Sequence, residues 1–195
     1  MGSGTPHPHG RSPIPMPGGN RPNPQGEREV FDRRLRVVPV LVIAAGVLAL
    51  AIAFGSQHLG GLAPCILCVY QRWPYGVAIL LGAAGLLVRD RPALLGPVLA
   101  AAGLAFLASA GIGAFHVGVE QHWWQGTAEC GATIDTSLSL EELKAKLLAA
   151  PVVRCDEVAW SLFGISMAGY NFLYASACGL LTLWAAMRIV ARRPR

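Results

Sequence analysis

Four of the five cysteines in this chain have the spacing of thiol–disulfide chemistry. Cys65 and Cys68 form a Cys-x-x-Cys within Pro-Cys-Ile-Leu-Cys, a spacing that recurs in redox sites and closes almost no loop, so it is a poor structural staple. Cys130 and Cys155 are then left to form a second disulfide across a long loop. Cys178 lies among Ala, Gly and Leu, where a thiol packs as a small hydrophobic group.

These thiols have two other uses to weigh. Two disulfides could simply brace a loop, or four thiolates could bind zinc. The pair Cys130 and Cys155 lacks the spacing of a second Cys-x-x-Cys, so we expect no metal. The Cys-x-x-Cys opens a predicted helix, where the positive end of the helix dipole favours a thiolate. Exchange chemistry is therefore the favoured interpretation.

Three ionisable residues are candidates to assist that chemistry. Arg72 follows Cys68 by one helical turn, where its cation can support a thiolate and polarise a carbonyl or oxyanion nearby. The alternative is that Arg72 snorkels to the headgroups, but an ionisable residue in a membrane segment is a functional hypothesis by default. His116 and Glu120, one turn apart, could assist protonation or could face water.

The elements that must position these residues are membrane helices. Of 195 residues, 53% are hydrophobic and only 14% charged, which argues against a soluble protein. Apolar segments long enough to cross a bilayer run over about 37–57, 66–88, 93–118 and 162–187. The sequence therefore predicts an all-α membrane protein, a bundle of four transmembrane helices.

Charge segregation predicts the orientation of this bundle. Twelve of the 16 basic residues precede the first segment, lie between the second and third, or follow the fourth, which places these regions and both termini in the cytoplasm. The opposite side receives a loop of about 120–161 that holds seven of the 11 acidic residues. This pattern is typical of the positive-inside rule and not of a nucleic-acid-binding stripe.

Three smaller expectations complete the architecture. Ser139 and Glu142 form a capping-box pattern that opens a short amphipathic helix in the loop, on the membrane surface or packed on the loop itself. Tryptophans flanking the loop suit interfacial anchoring, and glycines in the third segment suit close helix packing: Trp123, Trp124, Trp160, Gly103, Gly111, Gly113 and Gly118. We divide the chain into a disordered Pro/Gly-rich cytoplasmic tail (1–33), the membrane domain (34–190) and a basic cytoplasmic tail (191–195).

The chain resembles the disulfide bond formation protein B (DsbB) family of bacterial quinone-linked thiol oxidases. The features that carry the resemblance are the string from Pro64 to Arg72, the four membrane helices, and Cys130 and Cys155 before Trp160. The resemblance spans roughly 37–188. The long N-terminal tail lies outside it. Gln71 stands at a position where an acidic residue is familiar in this family. The resemblance therefore assigns no role to the N-terminal tail or to Gln71.

The resemblance implies an electron relay at the inner membrane. A periplasmic thioredoxin-fold, DsbA-like dithiol would be reoxidised by the Cys130–Cys155 disulfide, with Cys130 in the mixed disulfide. Cys155 would then exchange with Cys65, and Cys68 would pass electrons to ubiquinone or menaquinone. Arg72, His116 and Glu120 would be the cofactor-binding residues.

Two rival functions remain at this point. A vitamin K epoxide reductase-like protein also presents a Cys-x-x-Cys to a quinone, but that family usually places the motif after its loop cysteines, whereas Cys65 and Cys68 come first here. A non-catalytic membrane protein with structural loop disulfides is the second rival. An enzyme of this kind would oxidise a DsbA-like dithiol with quinone as the acceptor, whereas a non-catalytic protein would not.

Overall fold

The computed structural model describes residues 1–2, 26, 37–130, 139, 141 and 153–191. Most of the described residues lie in four long helices: α1 (Val38–His58), α2 (Ile66–Leu87), α3 (Pro92–Glu120) and α4 (Met167–Ala191). The protein is therefore mostly helical, as predicted. The greater part of the predicted amphipathic helix, most of the N-terminal tail and residues 192–195 lie outside the described residues.

Proline and cysteine set the starts of these helices. Pro39 and Pro92 lie in the first turns of α1 and α3, where a missing N–H removes no intrahelical bond. Cys65 is the N-cap of α2, with extended backbone and a side chain that accepts the Cys68 N–H. The first thiol of the Cys-x-x-Cys is therefore fixed by the helix start itself.

Three of the helices, α1, α3 and α4, are long and apolar enough to cross a membrane. Many of their large apolar side chains are exposed, among them Leu41, Ile52, Leu104 and Leu181, which suits a surface solvated by lipid. The second helix has 22 residues, a comparable length, but Gln71 and Arg72 in its first turns make it less apolar. The protein is thus a multi-pass membrane protein by the length and composition of its helices.

The helices pack around α3, which contacts α4 most extensively and α2 next, while α1 packs on α2. Phe106, Leu99 and Ala102 of α3 are fully buried, and the ring of Tyr75 meets Phe106 edge to face at 5.8 Å. At Gly103 an added Cβ would lie 2.8 Å from Leu183 Cγ, so this glycine lets α3 and α4 approach closely.

The four glycines predicted for helix packing in α3 divide into different roles. Gly103 and Gly113 do face α4, whereas Gly111 has open space around it. Gly118 makes room for the Trp124 ring, which folds back on the helix end, stacks on Phe115 and donates to the Phe115 carbonyl at 2.9 Å. Trp124 therefore packs on the end of α3 as well as lying at its exposed surface.

A small β-hairpin precedes α4, and it corrects the predicted start of the fourth helix near 162. Strands β1 (Ser161–Leu162) and β2 (Ile165–Ser166) pair antiparallel through a two-residue turn. Phe163 and Gly164 both have positive φ, 50° and 78°, the backbone of a tight hairpin turn. The apolar composition continues through this turn, so hydropathy alone did not separate it from the helix.

Candidate functional site

The Cys-x-x-Cys lies at the N-terminus of α2 with both sulfurs close together. Cys65 Sγ is 3.4 Å from Cys68 Sγ and 3.4 Å from the Cys68 backbone nitrogen. Cys65 is buried and Cys68 half-buried, and both are free thiols in this structure. The two sulfurs are therefore close to the distance at which a disulfide forms.

The structure contains the second predicted pair, a disulfide between Cys130 and Cys155. Cys130 ends a short 3₁₀ helix (Ala128–Cys130), and the Cys155 N–H donates to the Cys130 carbonyl at 3.1 Å. Both cysteines are buried, Cys155 completely. The disulfide thus joins the two ends of the long loop.

The two cysteine pairs belong to one packed cluster. Cys65, Cys130 and Cys155 are buried together with Leu67 and Val119, and Cys68 packs against the same cluster. The loop disulfide therefore rests on the start of α2. When the disulfide of one pair breaks, the released sulfur lies in the same packed cluster as the other pair. Exchange between the two pairs requires this proximity.

Several contacts hold the loop disulfide against α2. The Tyr70 hydroxyl donates to Glu129 Oε2 at 2.5 Å, so the residue before Cys130 is tied to the second turn of α2. Thr127 Oγ1 lies 3.4 Å from Cys130 Sγ. Gly126 leaves no space for a side chain, since an added Cβ would lie 2.9 Å from Cys130 Sγ.

On the other side of the disulfide, Arg154 binds Asp156 through Nε at 2.9 Å and through Nη2. These hydrogen bonds hold the pKa of the Asp156 carboxyl below its usual value. Arg154 is exposed and Asp156 half-buried, so the ion pair contributes little to stability. It orders the short segment that carries Cys155.

His116 brings α3 into the site. Its Nε2 lies 3.5 Å from Cys65 Sγ and 3.9 Å from Glu120 Oε1, and its Nδ1 lies 3.0 Å from Gln71 Nε2. Glu120 in turn accepts a hydrogen bond from Ser166 of the hairpin. The imidazole therefore connects a reactive thiol with a buried carboxylate and a buried amide.

Arg72 is held by α1. Its Nη1 donates to Gln57 Oε1 at 2.7 Å, its Nη2 donates to the Ala53 carbonyl at 3.4 Å, and its guanidinium lies 4.8 Å from the Phe54 ring centre. Its Nε is buried and has no hydrogen-bond partner among the described residues. Arg72 therefore keeps one N–H donor for another group.

These residues surround a cavity of about 810 Å³ that is mostly apolar. Its lining includes all the sequence-predicted residues other than the loop disulfide: Cys65, Cys68, Arg72, His116 and Glu120. A space of this size and polarity suits an apolar molecule with a few polar atoms. The thiols and the cation at its edge give that molecule a reactive end.

The family model described as Disulfide bond formation protein DsbB matches residues 35–185. This chain belongs to the DsbB family. Disulfide bond formation protein B of Verminephrobacter eiseniae is 34% identical over 162 residues, 78% of this chain and 86% of its own. The protein of the same description from Polaromonas sp. is 30% identical over 172 residues, 84% and 97% of the two chains. No solved structure matches significantly.

Membership in the DsbB family makes this membrane protein an oxidoreductase of disulfide bond formation. The reduced Cys65, Cys68 and His116 also form a ligand set, with all three ligand atoms within 4.8 Å of one another. A disulfide between Cys65 and Cys68 would consume two of those ligands, so this set could bind a metal only with both thiols reduced.

Sequence reasoning missed the polar residues that complete the site of this DsbB-family chain. Gln71, whose side chain is buried against His116, was assigned no role. Tyr75 donates to Asn171 Oδ1 at 2.6 Å, and both line the cavity. Gln71, Tyr75 and Asn171 are polar residues in apolar helices, and that pattern is the sequence signal by which they could have been found.

Proposed function

We propose that this protein reoxidises a periplasmic thioredoxin-fold, DsbA-like dithiol oxidase and passes the electrons to ubiquinone or menaquinone. The observation that carries the proposal is the packing of the two cysteine pairs in one cluster, with the Cys65–Cys68 pair at the edge of an apolar cavity. In this proposal the Cys130–Cys155 pair exchanges with a protein, and the Cys65–Cys68 pair exchanges with a lipid-soluble oxidant.

The exchange begins at the loop disulfide. A thiolate of the partner attacks Cys130, the Cys130–Cys155 bond breaks, and the electron pair remains on Cys155. The Cys155 thiolate then attacks Cys65 of the oxidised Cys65–Cys68 pair and releases Cys68 as a thiolate. The packing of Cys155 and Cys65 in one buried cluster supports this second step.

Two further exchanges complete the transfer. The second thiol of the partner resolves the mixed disulfide at the partner's own sulfur and releases the Cys130 thiolate. Cys130 then attacks Cys155, the Cys155–Cys65 bond breaks, and the electron pair remains on Cys65. The partner has lost two electrons, and Cys65 and Cys68 have gained them.

The cavity residues fit a quinone. The lining is mostly apolar, as a quinone ring requires, and Arg72 retains a buried Nε–H without a partner among the described residues. A bound quinone would accept two electrons and two protons, so that the Cys65–Cys68 pair returns to the disulfide. Cys68 and Arg72 both line the cavity, so a fixed positive charge lies near the thiol. His116 and Glu120, 3.9 Å apart, line it as well and would assist protonation there.

We further propose that all four helices span the inner membrane, with both termini and the turn carrying Arg89 and Arg91 in the cytoplasm. The polar residues of α2 support its spanning, because Gln71 is buried against the protein and Arg72 binds α1. Alkaline phosphatase fused after Ala149 should be active, and fused after Arg195 inactive. The reverse pattern would overturn the orientation.

Trapping the first intermediate tests the function. A DsbA-like partner that keeps only its attacking cysteine should accumulate a mixed disulfide with Cys130 of this protein, identified by mass spectrometry. The Cys178→Ala variant should trap it equally well, since Cys178 lies in the body of α4. Trapping on Cys65 or Cys68, or no trapping at all, would refute the order of exchange.

A further inference from the structure

Gln71 is a polar residue of the site to which the proposed relay gives no task. Its side chain is buried, with 6% of the residue exposed, inside the second turn of α2. The amide nitrogen lies 3.0 Å from His116 Nδ1, and His116 is itself 3% exposed. A buried amide in an otherwise apolar helix is costly unless its hydrogen bonds are used.

The chemistry of the amide decides which ring nitrogen carries the proton. An amide NH₂ donates and has no acceptor lone pair, so the imidazole nitrogen that faces it must be unprotonated. A neutral His116 that accepts at Nδ1 carries its proton on Nε2. Nε2 is the nitrogen that lies 3.5 Å from Cys65 Sγ.

We propose that Gln71 is a positioning residue: its amide fixes His116 with the proton on Nε2, so that the ring donates a hydrogen bond to Cys65. The inference rests on the proposed function for its consequence. Cys65 receives an electron pair when Cys130 attacks Cys155 and the Cys155–Cys65 bond breaks, and a donor at 3.5 Å stabilises the thiolate that forms.

The other groups around the ring fit this polarity. Glu120 Oε1, 3.9 Å from Nε2, is a second acceptor on the same side of the imidazole as Cys65. A glutamate at position 71 would instead accept a hydrogen bond from a protonated Nδ1 and so change the distribution of protons on the ring.

The test uses the full chain labelled with ¹⁵N-histidine in detergent micelles, with His116→Asn to assign the resonances of His116. Wild type should show Nδ1 unprotonated and Nε2 protonated. Gln71→Glu should place a proton on Nδ1. Gln71→Met should give a mixture of the two neutral forms, with the proton on Nδ1 in some molecules and on Nε2 in others. Gln121→Met, the same change at an exposed glutamine, should match wild type.

The second readout is the redox equilibrium of Cys65 and Cys68 against dithiothreitol, followed by alkylation and mass spectrometry. Gln71→Met should lower the equilibrium constant for reduction about tenfold, close to 30 mV for a two-electron couple. If Gln71→Met does not fold, wild type and Gln71→Glu decide the matter by their ring protonation alone. A protonated Nδ1 in wild type, or a folded Gln71→Met with unchanged protonation and equilibrium, would overturn the inference.

Failure of the proposed function is distinguishable from failure of this inference. A wild-type protein that oxidises no DsbA-like dithiol refutes the relay, while the ring protonation of His116 and the dithiothreitol equilibrium are measured without partner or quinone.

Discussion

Tyr70 donates a 2.5 Å hydrogen bond to Glu129, and this contact joins the helix that carries the Cys-x-x-Cys to the segment that carries the loop disulfide. The two residues are 59 positions apart in sequence. Because Cys130 and Cys155 are both buried beside α2, the proposed partner dithiol would reach Cys130 only if this segment moved outward. The hydrogen bond therefore favours the docked position of the loop.

Tyr70→Phe removes the hydroxyl and should shift the loop toward its open position. We expect reduction of the Cys130–Cys155 disulfide by a small soluble thiol to become severalfold faster, and exchange between the two cysteine pairs to become slower. Stopped-flow reduction and single-turnover exchange measure the two rates. Tyr170→Phe, which removes a hydroxyl bonded to the hairpin, is the control. Equal rates in wild type and Tyr70→Phe would contradict this role.

The five cysteines should have unequal importance. Replacing Cys65, Cys68, Cys130 or Cys155 by Ser should abolish steady-state oxidation of the partner, while Cys178→Ala should leave it nearly unchanged. Variants at Cys130 or Cys155 should still reduce quinone with an artificial dithiol, because Cys65 and Cys68 remain. Loss of that reaction as well would contradict the two-disulfide order.

Arg72 should act on the quinone and the thiolate at Cys68. Arg72→Ala should cost on the order of 2–4 kcal/mol in quinone reduction, the loss seen for a single oxyanion donor. Arg72→Lys should recover only part, because a lysine lacks the planar fork that contacts Gln57, Ala53 and Phe54.

Gln57→Leu is the matched control for Arg72, since it removes the 2.7 Å acceptor and keeps the cation. We expect a smaller defect in quinone reduction than with Arg72→Ala. Single-turnover exchange of Cys130–Cys155 with the partner should be normal in all three variants. Normal quinone kinetics with impaired exchange would return Arg72 to a snorkelling role.

Gly126→Ala should loosen the loop disulfide from its site. The new Cβ would lie 2.7 Å from Cys130 Cβ, and overpacking of this kind costs about 1–3 kcal/mol. We expect a lower thermal midpoint and faster alkylation of Cys130 after mild reduction. Gly111→Ala, where the added methyl meets open space, should behave as wild type. A Gly126→Ala protein as stable as Gly111→Ala would show that the contact is not tight.

Hydropathy and charge predicted the helices to within a few residues, because membrane length and apolar composition are local properties. The start of α4 was placed too early, because Phe163 and Gly164 continue the apolar run while their backbone turns. Thiol spacing predicted the loop disulfide. The partners of Arg72 on α1 and the pairing of Gln71 with His116 depend on helix rotation and packing, which one sequence does not encode in any short pattern.

The central claim is that electrons pass from a protein dithiol through both cysteine pairs to a quinone. Anaerobic single turnover of purified protein with a reduced DsbA-like dithiol and ubiquinone or menaquinone measures it, with partner oxidation followed by alkylation and quinone reduction by absorbance. We predict one quinone reduced for each dithiol oxidised, and no quinone reduction with Cys130→Ser. Partner oxidation without quinone reduction, or quinone reduction by the partner in Cys130→Ser, would contradict the account.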